Sequence, residues 1–583
     1  MWVVSTDRAR CRDCYRCVRE CPVKAIAVRS AQAEVVEQVC IACGTCIRAC
    51  PQDAKRTRDD RTLVKTALSE GKRVVASLAP SFPAFLPVTR VQQLEDLLHD
   101  LGFWGVGETA IGAEVVAEAH AQYVAKHPEA RPVICSSCPV IVFLIEKHHP
   151  ELISHLAPIV SPMVAHGRWL KAAYGSDTFT VFIGPCLAKK QEILESEVAG
   201  AIDAALTFAE LREWLTSEGL SFAPAEEPDV GGEAVAARLF PVEGGLVRTA
   251  QMNTDLLATD VITATGIERC LEVLTSIGKH SLNVDMVELM ACEGGCINGP
   301  AMHGESSLYV ARSRVLAFNA NRQQPLKRPP AAVPSLTRGY ADKVANFPPA
   351  TEEDVQAVLY RLDKYTPEDE LNCGACGYPS CRDKAIATLR GMAELTMCIP
   401  YMRRRAESLT NVVIDVTPNA ILVVDKGLRV QAISPSAERL FHVRKANVLG
   451  KHVSMVVPTL EGFTEACRDW RMINRQHIEY RPDLIVEMTL VPVEGEALLV
   501  GVLRDITEEE RSRREIQALR AEALTRTQEV IEKQMRVAQE IARLLGETTA
   551  ETKVNLSRLM QVVRESELLG RNATKPSEKP VSK

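Results

Sequence analysis

A chain of 583 residues, 46% hydrophobic and 25% charged, is too long for one hydrophobic core and has the make-up of ordinary globular protein, which sets aside fibrous and disordered classes. Its formal net charge is -6 and no segment joins basic density to interleaved aromatics, so no nucleic-acid partner is expected.

The opening MWVVSTDRARC lacks the basic and apolar regions of a secretory leader, and no later stretch is apolar for long enough to span a membrane. A cytoplasmic protein with no membrane partner is therefore expected, and in a reducing compartment 19 cysteines point to metal ligation rather than disulfides. Residues 1–60 hold two dense runs, CRDCYRCVRECP and CIACGTCIRACP, followed by the basic stretch Lys55 to Arg61. Cys11, Cys14 and Cys17, like Cys40, Cys43 and Cys46, are spaced so that one looped turn aims three thiolates at a cuboidal cluster, while Cys21 and Cys50 each precede a proline. This resembles the bacterial ferredoxin pattern, in which the fourth cysteine of a run ligates the other cluster. The expected sets are Cys11, Cys14, Cys17 and Cys50 for one 4Fe-4S cluster, and Cys40, Cys43, Cys46 and Cys21 for the other. A pair of zinc sites would need neither four cysteines per run nor the trailing prolines.

Residues 61–348 alternate short β-branched runs, such as VVASLAP and FTVFIGP, with helix-like stretches such as VQQLEDLLHDLGF, which predicts α/β layers. The proline-rich passage QQPLKRPPAAVP marks either the exit of this domain or a loop wrapped over it. Three segments here, CSSCPVIVFLIEKHHPEL, GPCLAKKQE and ELMACEGGCINGP, resemble the three signatures of the FeFe-hydrogenases in their order. The resemblance implies that Cys138, Cys186 and Cys292 ligate a cubane and that Cys296 also bridges it to a two-iron unit, the whole forming an H-cluster. It further implies that Lys189 donates to a cyanide ligand, that Met290 packs on the diiron unit, and that Ala79, Pro80 and Ser81 line it. Without the flanking pattern, Lys189 reads as a solvated lysine beside Lys190.

The departures from that family bear on rate. Ser137 stands where active members carry a proton-relaying cysteine, and a hydroxyl is a far weaker acid than a thiol. Gly184 replaces the methionine usual in the second signature, which removes bulk near the bridging carbonyl. In IGAEVVAEAHAQYV, where active members place glutamates of the proton path, only Glu114 and Glu118 are acidic. A throttled proton path follows. Cys135 is either a replacement donor or a buried, inert thiol, and Cys270 and Cys467 read as inert buried thiols.

Residues 349–410 contain NCGACGYPSC, and Cys373, Cys376, Cys381 and the later Cys398 suit a third 4Fe-4S cluster, with a structural zinc site as the alternative. Residues 411–508, with AILVVD, RVQAIS, SAERLF and a closing LVGVLRDIT, resemble a PAS domain with no assignable cofactor. In residues 509–583, Ala523/Leu524, Val530/Ile531, Val537/Ala538 and Leu544/Leu545 recur as heptad pairs, which predicts a coiled coil and a homodimer, ahead of a disordered tail, RNATKPSEKPVSK.

The expected architecture is multidomain, α+β and α/β, and the order of its parts resembles the sensory FeFe-hydrogenases. That resemblance implies slow reaction with H2 and protons, exchange with a redox partner protein, and signalling to a separate phosphatase or kinase. Two rivals remain: a metabolic hydrogenase or electron-transfer subunit, and a redox sensor that has the cubanes without a diiron unit.

Overall fold

Each N-terminal cysteine run turns sharply before a one-turn helix, through Tyr15 (φ 55°) ahead of Arg16–Glu20 and Gly44 (φ 78°) ahead of Thr45–Ala49. Cys21 and Cys50 end these helices in extended conformation, as the following Pro22 and Pro51 require. Four short strands complete the module: β1 (Val4–Thr6) pairs with β4 (Lys55–Thr57), and β2 (Ile26–Arg29) with β3 (Gln32–Val35), both antiparallel. The basic stretch after the second run is thus no bare spacer. Lys55 is buried and donates to Thr6 Oγ1 at 2.6 Å and to the Ala33 carbonyl at 3.2 Å, which closes the module on itself.

The apolar runs that follow become parallel strands, with both faces covered as such sheets require. One sheet orders β5 (Val74–Leu78), β6 (Gly105–Glu108), β8 (Phe179–Gly184) and β9 (Ala204–Thr207) as β6-β5-β8-β9. The other orders β7 (Val133–Ile134), β10 (Val261–Thr265) and β11 (Met286–Met290) as β10-β11-β7. Every residue of β5, β9 and β11 is buried. The proline-rich passage is a strap: from residue 325 to residue 350 it forms no helix or named strand, and Leu326, Ala331 and Leu336 pack on the main core. Trp169 Nε1 donates to Ala331 O at 2.9 Å, and Thr337 bridges Ile159, so the strap is tied along its length.

The third cysteine group sits among the helices Glu352–Tyr360, Cys381–Leu389 and Ile399–Val416, over a small core of Val355, Val358, Leu359, Leu362, Ala385 and Cys398. The structure, a computed structural model, describes residues 2–222, 234–252, 260–302, 306–320, 325–493, 497–545 and 553–562. The chain divides into two compact units, Met1–Arg404 and Arg405–Lys583.

In the second unit, β12 (Ala420–Asp425), β13 (Val430–Ile433), β14 (Ile473–Arg481), β15 (Leu484–Pro492) and β16 (Leu498–Asp505) form one antiparallel sheet ordered β13-β12-β16-β15-β14. Burial alternates along β12, so one face packs on a core with Phe463, Met488, Leu490 and Leu503. SAERLF lies in the helix Pro435–Phe441. From Thr507 a single 39-residue helix runs to Leu545, about 58 Å long. Leu519, Leu524, Val530, Val537 and Ile541 are exposed along it. The side chains of Leu544 and Leu545 and the whole of the expected tail lie outside the described residues.

Candidate functional site

Four loops leave the carboxyl ends of parallel strands, where open α/β sheets hold their ligands. β5 runs into Ala79, Pro80 and Ser81; β7 into Cys135 to Cys138; β8 into Pro185 and Cys186; and β11 into Cys292 and Cys296. Cys138 stands at the start of the helix Pro139–His148, whose first residue is a proline suited to that position. The thiols of Cys138, Cys186, Cys292 and Cys296 lie within electrostatic reach of one another. Enclosure pushes Cys186 up to about 11 and raises Cys292 and Cys296 well above the ordinary thiol value, and the neighbouring thiolates add to the effect. Thiols that oppose one another's ionisation are a donor set that the cationic iron-sulfide core of a cluster offsets, so the residues fit the implied group.

Lys189 is buried, not solvated: its Nζ donates to Glu192 Oε2 at 2.7 Å and lies in the field of Cys186 and Cys296. Glu192 is completely buried and also accepts from Arg338 Nη1 of the strap at 3.2 Å. Lys190 is buried as well, and donates to both Glu210 oxygens and to the Arg58 carbonyl. Ala79, Ser81 and Met290 are buried and Pro80 half-buried. The Ser81 and Ser137 hydroxyls are buried with no hydrogen-bond partner among the described residues, so both are available to a group bound at this site. At Gly184 the space of a larger side chain is filled rather than open: a Cβ there would lie 2.5 Å from the Phe182 ring and 3.0 Å from Ala79 Cβ. Sequence reasoning missed Phe182, because a residue two positions away on a strand gives no signal that its ring folds back.

The two glutamates read for a proton path face outward. Glu114 pairs with Arg328 at 2.9 Å, and Glu118 is exposed and accepts from Gln122. The buried titratable group on that helix is His120, whose Nε2 accepts from the Ser136 amide at 3.3 Å while burial lowers it to about 4. Across the sheet, Glu288 of β11 is buried, and burial raises its carboxyl to about 7 against the pull of the Leu246 and Val247 amides. Cys135 is fully buried in the field of Glu288, and burial holds its thiol well above the ordinary value. Cys270 is likewise buried, whereas Cys467, expected inside, is half-buried.

In the N-terminal module, Cys17 lies in the field of Cys11, Cys14 and Cys50, and Cys46 in that of Cys43, Cys40 and Cys21. Backbone amides of Ala25, Ala42 and Ala54 donate to the sulfurs of Cys21, Cys40 and Cys50, the pattern that stabilises anionic clusters. Cys373, Cys376, Cys381 and Cys398 line one cavity with Lys384. Lys384 is buried, its ammonium has no hydrogen-bond partner among the described residues, and burial lowers its pKa against the pull of Cys398, Cys376 and Cys381. Lys364 is buried on the same cavity and adds to that lowering, and two buried cations beside four thiols fit an anionic cluster. Among the described residues no three His, Cys, Asp or Glu side chains close tightly enough to hold a single metal ion.

Residues 72–300 match the iron only hydrogenase large subunit, C-terminal domain; residues 3–51 a 4Fe-4S dicluster domain; residues 369–400 an Fe-S cluster family; and residues 414–511 the PAS fold. Iron hydrogenase 1 of Clostridium pasteurianum is 26% identical over 293 residues, 40% of this chain and 51% of that protein, so the chain spans about half the length of this relative. The periplasmic [Fe] hydrogenase large subunit of Nitratidesulfovibrio vulgaris is 28% identical over 367 residues, 52% of this chain and 87% of that protein. The cytosolic Fe-S cluster assembly factor NAR1 of Yarrowia lipolytica is 31% identical over 171 residues, 26% of this chain and 35% of that protein. Among solved structures, the [FeFe]-hydrogenase HydA1 of Chlamydomonas reinhardtii aligns at 20% identity and a TM-score of 0.38, over 48% of this chain and 99% of that one. No described helix is long and apolar enough to cross a membrane.

Proposed function

We propose that this hydrogenase-like iron-sulfur protein with a PAS domain reacts slowly with H2 at the centre held by Cys138, Cys186, Cys292 and Cys296, and passes the resulting redox state through 4Fe-4S clusters toward the PAS domain and the long helix. The reading takes one 4Fe-4S cluster on each of the three remaining cysteine sets and an H-cluster on the central one. The diiron unit, when bound, supplies the metal site for H2 splitting and proton reduction. A separate phosphatase or kinase is the listener, and the long helix pairs two copies of the chain.

The observation that carries this reading is the buried Ser137 hydroxyl, unpartnered beside four mutually interacting thiols. It stands where a proton must pass and offers only a weak acid. The residues around it keep the site dry and charged in a fixed way. Glu192 and Arg338 hold Lys189 as a positioned cation, while Met290 and the Ala79 methyl present apolar wall. Glu288, near neutrality in its affinity for protons and within the field of Cys296, is the buried acid best matched to exchange them at physiological pH.

Infrared spectroscopy of the maturated protein under H2 tests the proposal. Carbonyl and cyanide bands that shift on H2 addition are expected, with turnover far below that of metabolic hydrogenases. A protein that takes up iron and sulfide yet shows no such bands overturns it. The similarity to cluster assembly factors favours one second reading, in which the cubanes remain and the diiron unit is absent, and that same blank infrared spectrum would support it.

A further inference from the structure

The three cysteine sets outside the central site differ in which parts of the fold pack beside them. Gly377, in the loop of the third set, adopts φ +95°, and a Cβ on it would lie 2.8 Å from Val18 Cγ1 and 3.1 Å from the Arg19 amide. The loop therefore rests directly on the helix Arg16–Glu20, whose last turn delivers Cys21. Arg19 Nη1 donates to Ala375 O at 3.4 Å across the same contact. Tyr378, next in sequence, is buried with a hydroxyl that has no hydrogen-bond partner among the described residues, and it lies within electrostatic reach of both Cys376 and Cys21. Lys24 caps that helix through the Val18 and Arg19 carbonyls, at 3.2 and 2.9 Å, and its charge reaches the same two cysteines. On the other side of the module, Gly44 abuts Pro300 and Leu187, and Cys43 of the Cys21 set lies in the field of Cys292.

We propose that the Cys21, Cys40, Cys43 and Cys46 cluster is a branch point that exchanges electrons directly with the Cys373, Cys376, Cys381 and Cys398 cluster across Val18 and Tyr378, leaving the Cys11, Cys14, Cys17 and Cys50 cluster as a separate exit. The inference rests on cubanes occupying these sets, as in the function proposed above, but not on H2 chemistry. One electron leaves the reduced branch cluster and the third cluster takes it, with no bond made or broken and dithionite as the external reductant. Tyr378 is a positioning residue that fills the gap, and Lys24 is a cation shared by both ends.

The test uses the full chain with its clusters rebuilt anaerobically and reduced by dithionite, read by pulsed electron paramagnetic resonance and by stopped-flow filling of the third cluster. Cys376→Ser, which removes the third cluster, should slow electron-spin relaxation of the N-terminal clusters several-fold. Gly377→Val keeps every thiol but forces the loop off Val18, and Tyr378→Leu opens the gap; both should retain full iron content and fill the third cluster several-fold more slowly. Cys14→Ser, which removes the exit cluster, should leave that filling intact. Relaxation in Cys376→Ser unchanged from that of a native protein whose third cluster is visible, or filling unchanged in both loop variants, overturns the branch, and so does loss of filling in Cys14→Ser with the branch cluster present. Neither H2 nor a diiron unit enters the measurement, so failure of the branch and failure of the H2 reading are told apart.

Discussion

In the proposed function, Ser137 is the residue on which rate would depend. If a poor acid limits proton exchange, Ser137→Cys should raise H2 turnover of the maturated protein by on the order of 10²-fold, the usual worth of one placed acid-base group; an unchanged rate would put the bottleneck elsewhere. Glu192 is the residue on which the charge balance depends, because it is completely buried between Lys189 and Arg338. Glu192→Gln strands two buried cations and should cost about 3–5 kcal/mol in denaturant unfolding. Glu288 carries the pH dependence. Its carboxyl titrates near 4.5 when exposed and at about 7 in the fold, so the fold holds that proton more tightly. The advantage is complete below the unfolded value and is lost as pH rises through about 7. Glu288→Gln cannot ionise, so its stability relative to the native protein should improve between about pH 4.5 and about pH 7 and level off above, by up to on the order of 3 kcal/mol. Thermal melts across that range check it, and a gap that stays flat would show that Glu288 remains ionised.

At the scale of elements, the long helix from Thr507 to Leu545 exposes Leu524, Val530 and Val537, one from each of three successive heptad pairs, with Glu, Arg and Lys between. A lone helix gains nothing by holding apolar residues in water. Pairing two copies would bury them as a seam. Val530→Glu with Val537→Glu should turn a dimer into a monomer in sedimentation equilibrium while the iron content stays constant; a native chain that already sediments as a monomer would refute the pairing. The cysteine loops are elements of the opposite kind, since they have little regular structure and are held by the strands behind them. The central loops take their places from the ends of β5, β7, β8 and β11, whose burial leaves them no alternative register.

For the whole molecule, the contact at Gly44 ties the N-terminal module to the central domain. Its φ of +78° and a Cβ position 2.5 Å from Pro300 Cβ leave no room for a methyl group. Gly44→Ala should destabilise the first unit by about 1–3 kcal/mol and open its N-terminal module to limited proteolysis. Much of this architecture was legible in the sequence. The cysteine spacings announce iron-sulfur modules because ligand geometry is local, and runs such as VVASLAP and FTVFIGP announce parallel strands because two-sided burial leaves them uniformly apolar. The PAS sheet showed itself through alternation, as in AILVVD. What stayed hidden depends on distant parts of the chain meeting: the strap that brings Arg338 to Glu192, the amides of residues 246 and 247 at Glu288, Lys384 turned inward among thiols, and the Phe182 ring over Gly184. Outward-facing Glu114 and Glu118 show the same limit, because helical spacing assigns a residue to a face and not to a neighbour.

The two cysteine runs at the N-terminus read as near copies, yet the set containing Cys21 and Cys43 lies within electrostatic reach of both Cys292 of the central loops and Tyr378 of the third group. Duplicated motifs so placed are unequal in what they carry. On the branch proposed above, damage to one set closes a side door, whereas damage to the other cuts both routes at once, and a stray oxidant reaching that junction would isolate the central cysteine site even with its own thiols intact.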